Sequence, residues 1–322
     1  MRASIATVRR PFIGRLLGTL LLPISLACGD TNPVPPTSPA APDQPTPPTT
    51  VPQTPAAPGQ TTPPSYWELS GDLYLADSSG ADLRLLTQGG WPSWSPDGRR
   101  IVFHRDGVVR VIDADGANEL ALGAGQWPTW SPDGRRIAFA SADGIRVMNA
   151  DGTDARPLMS GALRARHIWG VGKPSWSPDG ALIVFDEPGA YDFGIDAFIF
   201  AMTADGTSQS LLAGGSEYET EPSWSPDGAS VVYWSTRYGL GIVARGGGQT
   251  VPLNRDQVAP FFARPAWSPD GRAILFNGLP LASAIMTISR EGGSARVLIE
   301  RGADAAWSPD GRRLAFVRLR AP

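Results

Sequence analysis

The sequence is poor in the residues on which most protein chemistry depends. Its 322 residues include one cysteine, Cys28, one lysine, Lys173, and two histidines, His104 and His167. A single cysteine excludes an internal disulfide framework and any multi-cysteine metal site. Charged residues make up 18% of the chain and the net charge is −3, so no basic stripe is present to bind nucleic acid.

Catalytic motifs are also missing. The sequence contains no Gly-x-Ser-x-Gly elbow, no His-Glu-x-x-His and no glycine-rich phosphate loop. We therefore predict no catalytic residue, no metal site and no cofactor.

The first 27 residues have the order of an export signal. Four arginines, the last of them Arg15, are followed by an apolar run from Leu16 to Leu22 and then by Ala27-Cys28. This run is too short for a membrane-spanning helix, so residues 1–27 are predicted to be a signal peptide. A cysteine at this place resembles the bacterial lipobox and predicts lipidation of Cys28. The alternative is an ordinary signal peptide with an incidental cysteine. Arg9-Arg10 also resembles the twin-arginine export motif, so the export route stays open.

Residues 28–65 are mostly Pro, Thr, Ala and Gln, with almost nothing apolar to bury. Such a segment does not offset its ordering entropy, so we predict a disordered, extended linker. Together with the export signal, it predicts a domain held on a lipid anchor outside the cytoplasm, in the periplasm, at the outer membrane or on the cell surface.

The rest of the chain is repetitive. The string Trp-Ser-Pro-Asp-Gly occurs six times, with its tryptophan at Trp94, Trp130, Trp176, Trp224, Trp267 and Trp307. The spacings, from 36 to 48 residues, suit a four-stranded blade. After each copy, apolar residues fall three and five places beyond the glycine, as at Ile101 and Phe103, which is the period of a strand. A second motif, with an Asp-Gly or Gly-Gly turn between two strands, follows each copy but the last.

The acidic residues of these turns invite two interpretations. They resemble a repeated calcium or paired-carboxylate site, but Pro, Asp and Gly are also the residues that tight turns require. We interpret them as turn residues that bond their own backbone.

Half a blade stands at each end of the repeat. A strand pair from Leu73 to Leu86 precedes the first copy, and one strand, Leu314 to Val317, follows the last. Pairing the two halves would bury both open edges. Residues 66–322 are therefore predicted to form an all-β, six-bladed β-propeller with four-stranded antiparallel blades, closed by strands from both termini. Propellers are usually complete as monomers, so we expect a monomer.

The pattern Pro-x-Trp-Ser-Pro-Asp-Gly, followed by apolar-x-Phe and later by Asp-Gly, resembles the WD40-like repeat of TolB-type propellers. That repeat is also found beside the hydrolase domain of some oligopeptidases and in an oligogalacturonate lyase family. The resemblance implies an envelope protein that binds other proteins. In TolB itself an α/β domain precedes the propeller, and here a proline-rich segment stands in its place.

Binding residues are predicted on the face that carries the variable loops. The residue before the proline of each innermost strand is expected near the channel mouth, which gives Trp91, Trp127, Lys173, Glu221 and Arg264, with Asp304 in the sixth position, where Ala305 replaces proline. Nearby candidates are His167, Tyr191, Tyr218, Glu219, Arg237, Tyr238 and Phe262. This mixed aromatic and charged surface suits a protein or cell-wall ligand.

Two alternatives stay open. The charges could pair with one another and merely solvate the channel. The chain could also be a carbohydrate-active lyase or hydrolase in which Lys173, Glu221 or Glu219 acts as base or acid.

Overall fold

The computed structural model describes residues 71–158, 172–188, 197–214, 218–254, 263–278 and 284–318. Residues 61–322 form one compact unit, to which every described residue belongs. The predicted signal peptide, Cys28 and the linker lie outside the described residues. Within the described ranges, no helix is long and apolar enough to cross a membrane.

Each repeat of the sequence forms a four-stranded antiparallel sheet, which we call a blade. Blade 1 contains the end of β2 (Arg84–Trp94), β3 (Arg100–Arg105), β4 (Val108–Asp113) and β5 (Leu120–Ala124). Blade 2 contains β6 (Gln126–Trp130), β7 (Arg136–Ser141), β8 (Gly144–Asn149) and β9 (Arg156–Pro157). Blade 3 contains β10 (Ser175–Trp176), β11 (Leu182–Pro188), β12 (Ala197–Thr203) and β13 (Gln209–Ala213).

The second half of the repeat is built in the same way. Blade 4 contains β14 (Glu219–Trp224), β15 (Ser230–Ser235), β16 (Gly239–Ala244) and β17 (Val251–Asn254). Blade 5 contains β18 (Ala266–Trp267), β19 (Ala273–Gly278), β20 (Ala284–Ser289) and β21 (Arg296–Glu300). Blade 6 contains β22 (Gly302–Trp307), β23 (Arg313–Arg318), β1 (Gly71–Asp77) and the start of β2.

Strands from the two ends of the chain share blade 6. β1 pairs antiparallel with β23, from Asp72 opposite Arg318 to Asp77 opposite Arg313. The long strand β2 then passes from blade 6 into blade 1, pairing first with β1 and, beyond Gly89, with β3. The innermost strands of successive blades contact one another, and those of blades 6 and 1 do so as well.

The apolar residues after each Trp-Ser-Pro-Asp-Gly form the core, as predicted. Ile101 and Phe103 are fully buried, and so is Val102 between them, which points to the opposite face of the sheet. Both faces are covered because each blade packs against a neighbour on either side. The alternation seen in the sequence therefore marks only one of two buried faces.

The repeated Pro and Gly of the turns also pack between blades. A Cβ atom on Gly271, which has φ of +69°, would lie 3.3 Å from the ring of Pro226 in the preceding blade. The same pairing recurs around the molecule as Pro96–Gly134, Pro132–Gly180, Pro178–Gly228, Pro269–Gly311 and Pro309–Gly98. These turns therefore require glycine for its left-handed backbone, whereas a Cβ atom would make ordinary contact with the proline in five of the six.

The turn acids bond their own backbone. The Ser131 hydroxyl donates to Asp133 Oδ1 over 2.5 Å and accepts from the Arg136 amide over 2.9 Å, and Asp133 Oδ1 accepts from the Arg135 amide over 3.0 Å. The hydrogen bond from Ser131 is the main cause that lowers the pKa of Asp133. The same pattern recurs in the other five turns. These contacts support the turn interpretation over a repeated acidic site.

Arginines cover the blade tryptophans on the turn side. In three blades the arginine comes from the preceding blade, as in Arg100 over Trp130 (4.9 Å), Arg136 over Trp176 (4.9 Å) and Arg313 over Trp94 (4.6 Å). In two it comes from the same blade, as in Arg245 over Trp224 (5.4 Å) and Arg290 over Trp267 (5.7 Å). Among the described residues no arginine lies over Trp307, which is also the only partly exposed member of the six.

Candidate functional site

In five of the six blades the residue before the inner-strand proline, or before Ala305 in blade 6, stands at a break in the sheet. Five of the six have left-handed backbone: Trp91 (φ 57°), Trp127 (51°), Glu221 (59°), Arg264 (48°) and Asp304 (56°). In four of the blades the ladder register also slips at this residue. Left-handed backbone costs a residue other than glycine on the order of 1–2 kcal/mol. At the break, each of these side chains no longer follows the alternation of side chains between the two faces of its sheet.

These side chains meet at the centre of the molecule. The Arg264 guanidinium of blade 5 lies 3.7 Å from the ring centroid of Trp91 in blade 1. Lys173 Nζ of blade 3 lies 5.8 Å from the same centroid. Blades 1, 3 and 5 are not neighbours, so their side chains touch only because all of them reach the axis. We call Trp91, Trp127, Lys173, Glu221, Arg264 and Asp304 the axial site.

Arg264 is the centre of a buried ion-pair network. Its Nε lies 3.5 Å from Glu221 Oε1, its Nη1 pairs with Asp304 Oδ1, and its amide donates to Glu221 Oε2 over 2.6 Å. Burial lowers the pKa of Arg264 to about 10, which leaves it charged at neutral pH. Glu221, Arg264 and Asp304 are each at most 5% exposed. These three charges therefore pair with one another, but they are buried and do not solvate the channel.

Trp91 and Trp127 form the aromatic side of the axial site. Their ring centroids are 5.8 Å apart at an interplanar angle of 67°. Trp91 is buried between Trp127 and the two cations, and Trp127 is partly exposed. An edge-to-face pair of this kind holds both rings in fixed orientations.

The structure adds three buried polar residues that the sequence analysis did not select: His104, Asp186 and Asn277. All three occupy the sixth position after the turn glycine, on the second strand of blades 1, 3 and 5. Two of them bind the amide left free by the break in the next blade. Trp127 N–H donates to His104 Nδ1 over 3.4 Å, and Asp304 N–H donates to Asn277 Oδ1 over 3.2 Å. A polar residue recurring in an otherwise apolar strand was the signal that could have revealed them.

Burial shifts the pKa of two of these residues in opposite directions. The pKa of His104 falls to about 4, through burial and then the positive charge of Arg264. The pKa of Asp186 rises to about 7, through burial and then the negative charge of Glu221. Gly172 lies directly against the Asp186 carboxylate, where any side chain would collide with it. At neutral pH a neutral imidazole and a carboxyl group close to its titration midpoint therefore act on the charged groups of the axial site.

Three side chains around the axis are partly exposed: Trp127, Lys173 and Tyr218. Tyr218 packs edge-on against Trp234, with centroids 6.2 Å apart, and the charges of Asp186 and Glu221 help burial to raise its pKa. Burial is the first cause that lowers the pKa of Lys173. The negative charges of Glu221 and Asp186 act on the pKa of Lys173 in the opposite direction.

Glu219 does not join this group. It lines a cavity of about 420 Å³ between blades 3 and 4, together with Arg237, Tyr238 and Thr250. His167, Tyr191 and Phe262 lie outside the described residues. In the part of the chain that is described, no three His, Cys, Asp or Glu side chains are arranged to hold a metal ion.

Comparison with known proteins decides the family. The family model of the TolB beta propeller domain matches residues 108–321, about two thirds of the chain. The chain belongs to the TolB β-propeller domain family. No curated protein sequence is detectably similar to it.

Solved structures share the TolB-type fold at low sequence identity. A protein assigned as TolB from Agrobacterium tumefaciens has a TM-score of 0.63 at 20% identity, covering 79% of this chain and 99% of that one. TolB from Acinetobacter baumannii has a TM-score of 0.50 at 18% identity, covering 79% and 65%. A hydrazine synthase from Kuenenia stuttgartiensis has 0.53 at 14%, covering 78% and 90%. Because its members differ so widely in function, the TolB-type fold does not assign an activity.

Proposed function

We propose that this TolB-type propeller is an exported binding protein of the cell envelope, and that it binds a protein or a cell-wall component at the axial site. Convergence of the axial-site side chains carries this proposal. Five of them adopt left-handed backbone although none is glycine, and together they place aromatic, basic and acidic groups at one point. A strained backbone repeated in this way indicates that the side chains themselves are needed there.

Localisation is proposed from the N-terminal sequence. The order of arginines, apolar run and Ala27-Cys28 supports export and attachment of the chain to a membrane through a lipid on Cys28. Changing Cys28→Ala is expected to move the protein from the membrane fraction to the soluble fraction while leaving the propeller folded. Unchanged fractionation of the variant would contradict the lipid anchor.

The binding role is tested by affinity capture. Residues 61–322, which form one compact unit, are immobilised and exposed to envelope extract, and bound material is identified by mass spectrometry. A Lys173→Gln, Trp127→Ala double variant is expected to lose the bound component. The matched control is Arg135→Gln, which removes one exposed positive charge beside the turn of blade 2, at the other end of the strands.

Thermal unfolding establishes that all three proteins are folded. Capture of one component by the parent and the control, but not by the double variant, supports the axial site. Equal capture by all three proteins contradicts it. Turnover of a polysaccharide that disappears in Lys173→Ala would favour the carbohydrate-active alternative, which stays a prediction.

A further inference from the structure

A cavity lies between blades 3 and 4, apart from the axial site. One wall is formed by residues 211–214, at the end of β13, and the other by Arg237, Tyr238 and residues 246–250 of blade 4. Glu219 lines it as well, and of the described residues around it none belongs to the axial site. Its volume of about 420 Å³ falls within the range of about 300–1,000 Å³ that is usual for ligand pockets. The cavity is therefore large enough for a small ligand.

Blade 4 departs from the repeat beside this cavity. Opposite the aromatic residue of the second strand, the third strand of each other blade carries a large side chain: Tyr74, Arg110, Arg146, Phe200 or Met286. Blade 4 has Gly241 at this place. A Cβ atom there would lie 2.7 Å from Thr250 Cγ2 and 3.2 Å from Tyr233 Cζ. The glycine therefore makes room for these two side chains.

The hydroxyl groups of Tyr233 and Thr250 occupy this room. The other five blades have phenylalanine where blade 4 has Tyr233. Tyr233 Oη and Thr250 Oγ1 form a hydrogen bond of 2.5 Å, and burial raises the pKa of Tyr233, which keeps its hydroxyl protonated. The negative charge of Glu219 also raises this pKa, so Glu219 lies close to the pair. The bond helps to fix the orientation of Thr250, which lines the cavity.

A second glycine marks the same cavity. In the turn between the third and fourth strands, the residue before the recurring glycine has a polar side chain in the other blades: Ser79, Asp115, Asp151, Asp205 or Glu291. Blade 4 has Gly246 at this place, and Gly246 lines the cavity. Two side chains that the repeat supplies elsewhere are therefore missing here, so the cavity is a property of blade 4 and not of the repeat.

The side chains around the cavity differ in the hydrogen bonds that they make. The Glu219 carboxylate, which is 5% exposed, only accepts, the Arg237 guanidinium only donates, and Gln249 and Thr250 do both. A cation in the cavity would face Arg237 and an anion would face Glu219, which disfavours charged ligands of either sign. Hydroxyl groups both donate and accept, and therefore suit all of these side chains.

Tyr238 provides an aromatic surface in the same cavity. Its ring is partly exposed, and the Arg237 guanidinium lies 5.4 Å from the ring centroid. A sugar ring carries hydroxyl groups around its edge and C–H groups on its faces, and a C–H face packs on an aromatic ring by apolar contact. The lining of the cavity therefore matches both the edge and the face of a sugar ring.

We propose that the cavity between blades 3 and 4 binds a neutral saccharide of one or two rings, with its hydroxyl groups on Glu219 and Thr250 and one sugar face against Tyr238. This site goes beyond the proposed function, because it is separate from the axial site and needs no ligand there. Binding involves no covalent step, so no side chain acts as acid or base and the saccharide is released unchanged.

Glycan binding of the whole chain tests the proposal. An array presents three groups of glycans: neutral oligosaccharides, oligosaccharides of uronic acids, and oligosaccharides of amino sugars with free ammonium groups. The terminal disaccharide of the strongest neutral glycan is then titrated in solution, and saturation-transfer NMR gives its Kd.

Four variants locate the site. Thr250→Val removes the hydroxyl and keeps the shape of the side chain, whereas Thr250→Ser keeps the hydroxyl. Tyr238→Ala removes the ring. Thr153→Val is the matched control, since Thr153 is an exposed hydroxyl residue in a turn of blade 2. Thermal unfolding establishes that each variant is folded.

We expect the neutral glycans to bind more tightly than either charged group. Thr250→Val should weaken binding of the disaccharide about 2–10-fold, the contribution of one hydrogen bond, and Tyr238→Ala should weaken it about tenfold. Thr250→Ser, Thr153→Val and the Lys173→Gln, Trp127→Ala double variant should bind it as the parent does.

The other results overturn the inference. Binding of acidic or basic glycans alone overturns the neutral ligand, and an array without bound glycans overturns the saccharide site. Equal affinity in the parent, Thr250→Val and Tyr238→Ala overturns the location. If only the axial double variant loses the sugar, the proposed function stands and this inference fails. If affinity capture is equal in the parent, the double variant and Arg135→Gln while both cavity variants lose the sugar, the proposed function fails and this inference stands.

Discussion

His104 is a buried imidazole that accepts a hydrogen bond from the Trp127 amide at Nδ1, so its proton resides on Nε2. Its pKa is about 4 in the folded chain and 6.5 in the unfolded one. Between these values only the unfolded chain binds the proton. Acidification through this window therefore favours unfolding.

The first prediction concerns His104→Gln, since glutamine can still accept from the Trp127 amide. Wild-type protein should lose free energy of unfolding, by at most about 3 kcal/mol, as the pH falls from 6.5 to 4. The variant should lose less over this window. Urea denaturation at pH 7 and pH 5 measures both losses, and equal losses in the two proteins would show that His104 is not the responsible group.

Asp186 responds in the opposite direction. Its pKa rises from 3.8 in the unfolded chain to about 7 in the folded one, so between these values the folded chain binds the extra proton. Stability from this group is present below pH 4 and is lost as the pH rises towards 7.

The second prediction follows from that sign. Asp186→Asn should be more stable than the wild type at pH 8, where the wild-type carboxylate is ionised and buried, by up to a few kcal/mol. At pH 4 the two proteins should be close in stability. Asp186→Ala is the control for lost packing, and a lower stability of the asparagine variant at pH 8 would contradict the prediction.

At this scale the sequence identified the positions better than their interactions. Trp91, Trp127, Lys173, Glu221 and Arg264 stood out because each precedes the proline of an inner strand, and Asp304 because it holds the same position before Ala305. The left-handed backbone of all of these except Lys173 was not predictable, because the residue before a proline usually avoids helical backbone. Asp186 was missed because its partners, Lys173 and Glu221, come from other parts of the chain.

Among the elements, the arginine over each covered blade tryptophan comes from one of two positions, and the other position then holds a different residue. Where the arginine comes from the preceding blade, the residue that follows the third strand of the tryptophan's own blade is alanine: Ala114, Ala150 or Ala204. In blades 4 and 5 that position holds Arg245 or Arg290, and the preceding blade contributes Leu182 or Ser230. For Trp307 both positions lack arginine, since they hold Ala273 and Ser78.

The third prediction concerns an arginine placed over Trp307. Ala273→Arg should cover Trp307 and raise the free energy of unfolding by about 0.5–1 kcal/mol, the usual contribution of such a contact near the surface. Arg136→Ala, which uncovers Trp176, should lower it by a similar amount. Urea denaturation compares the two variants, and a loss of stability in Ala273→Arg would contradict this prediction.

The fourth prediction tests the turn. Ser131→Ala removes the hydroxyl that joins Asp133 to the Arg136 amide, and should lower the free energy of unfolding by about 1–2 kcal/mol. Asp133→Asn keeps an acceptor for the Arg135 amide and should lower it less. Similar losses in the two variants would show that the hydroxyl has no special role.

The elements themselves were largely predictable. Six copies of one motif fixed where each inner strand ends, and the spacing after the glycine located the buried residues of the next strand. The sequence did not predict that β2 serves two blades. It is continuous from Arg84 to Trp94, and its passage from β1 to β3 at Gly89 depends on blade 6 lying beside blade 1.

For the whole molecule, the pairing of β1 with β23 joins residues that are more than 230 apart in sequence. Pro309, in the turn of blade 6, lies beside Gly98, in the turn of blade 1. Strands from the two ends of the repeat pair with each other in blade 6, so neither end leaves an unpaired strand edge there. Folding therefore requires both ends of the propeller before either half of blade 6 is stable.

The last prediction removes one of those ends. Deleting residues 313–322 takes away β23 and leaves β22 and β1 without their shared neighbour. Leu73 and Phe103 lie in the core clusters of the joined blades, so the loss should spread beyond blade 6 and abolish the single cooperative unfolding transition. Deleting residues 1–60, which lie outside the compact unit of residues 61–322, should leave that transition unchanged. Calorimetry distinguishes the outcomes: a sharp transition in the C-terminal deletion would show that five blades and half of the sixth are stable without the pairing of the two ends.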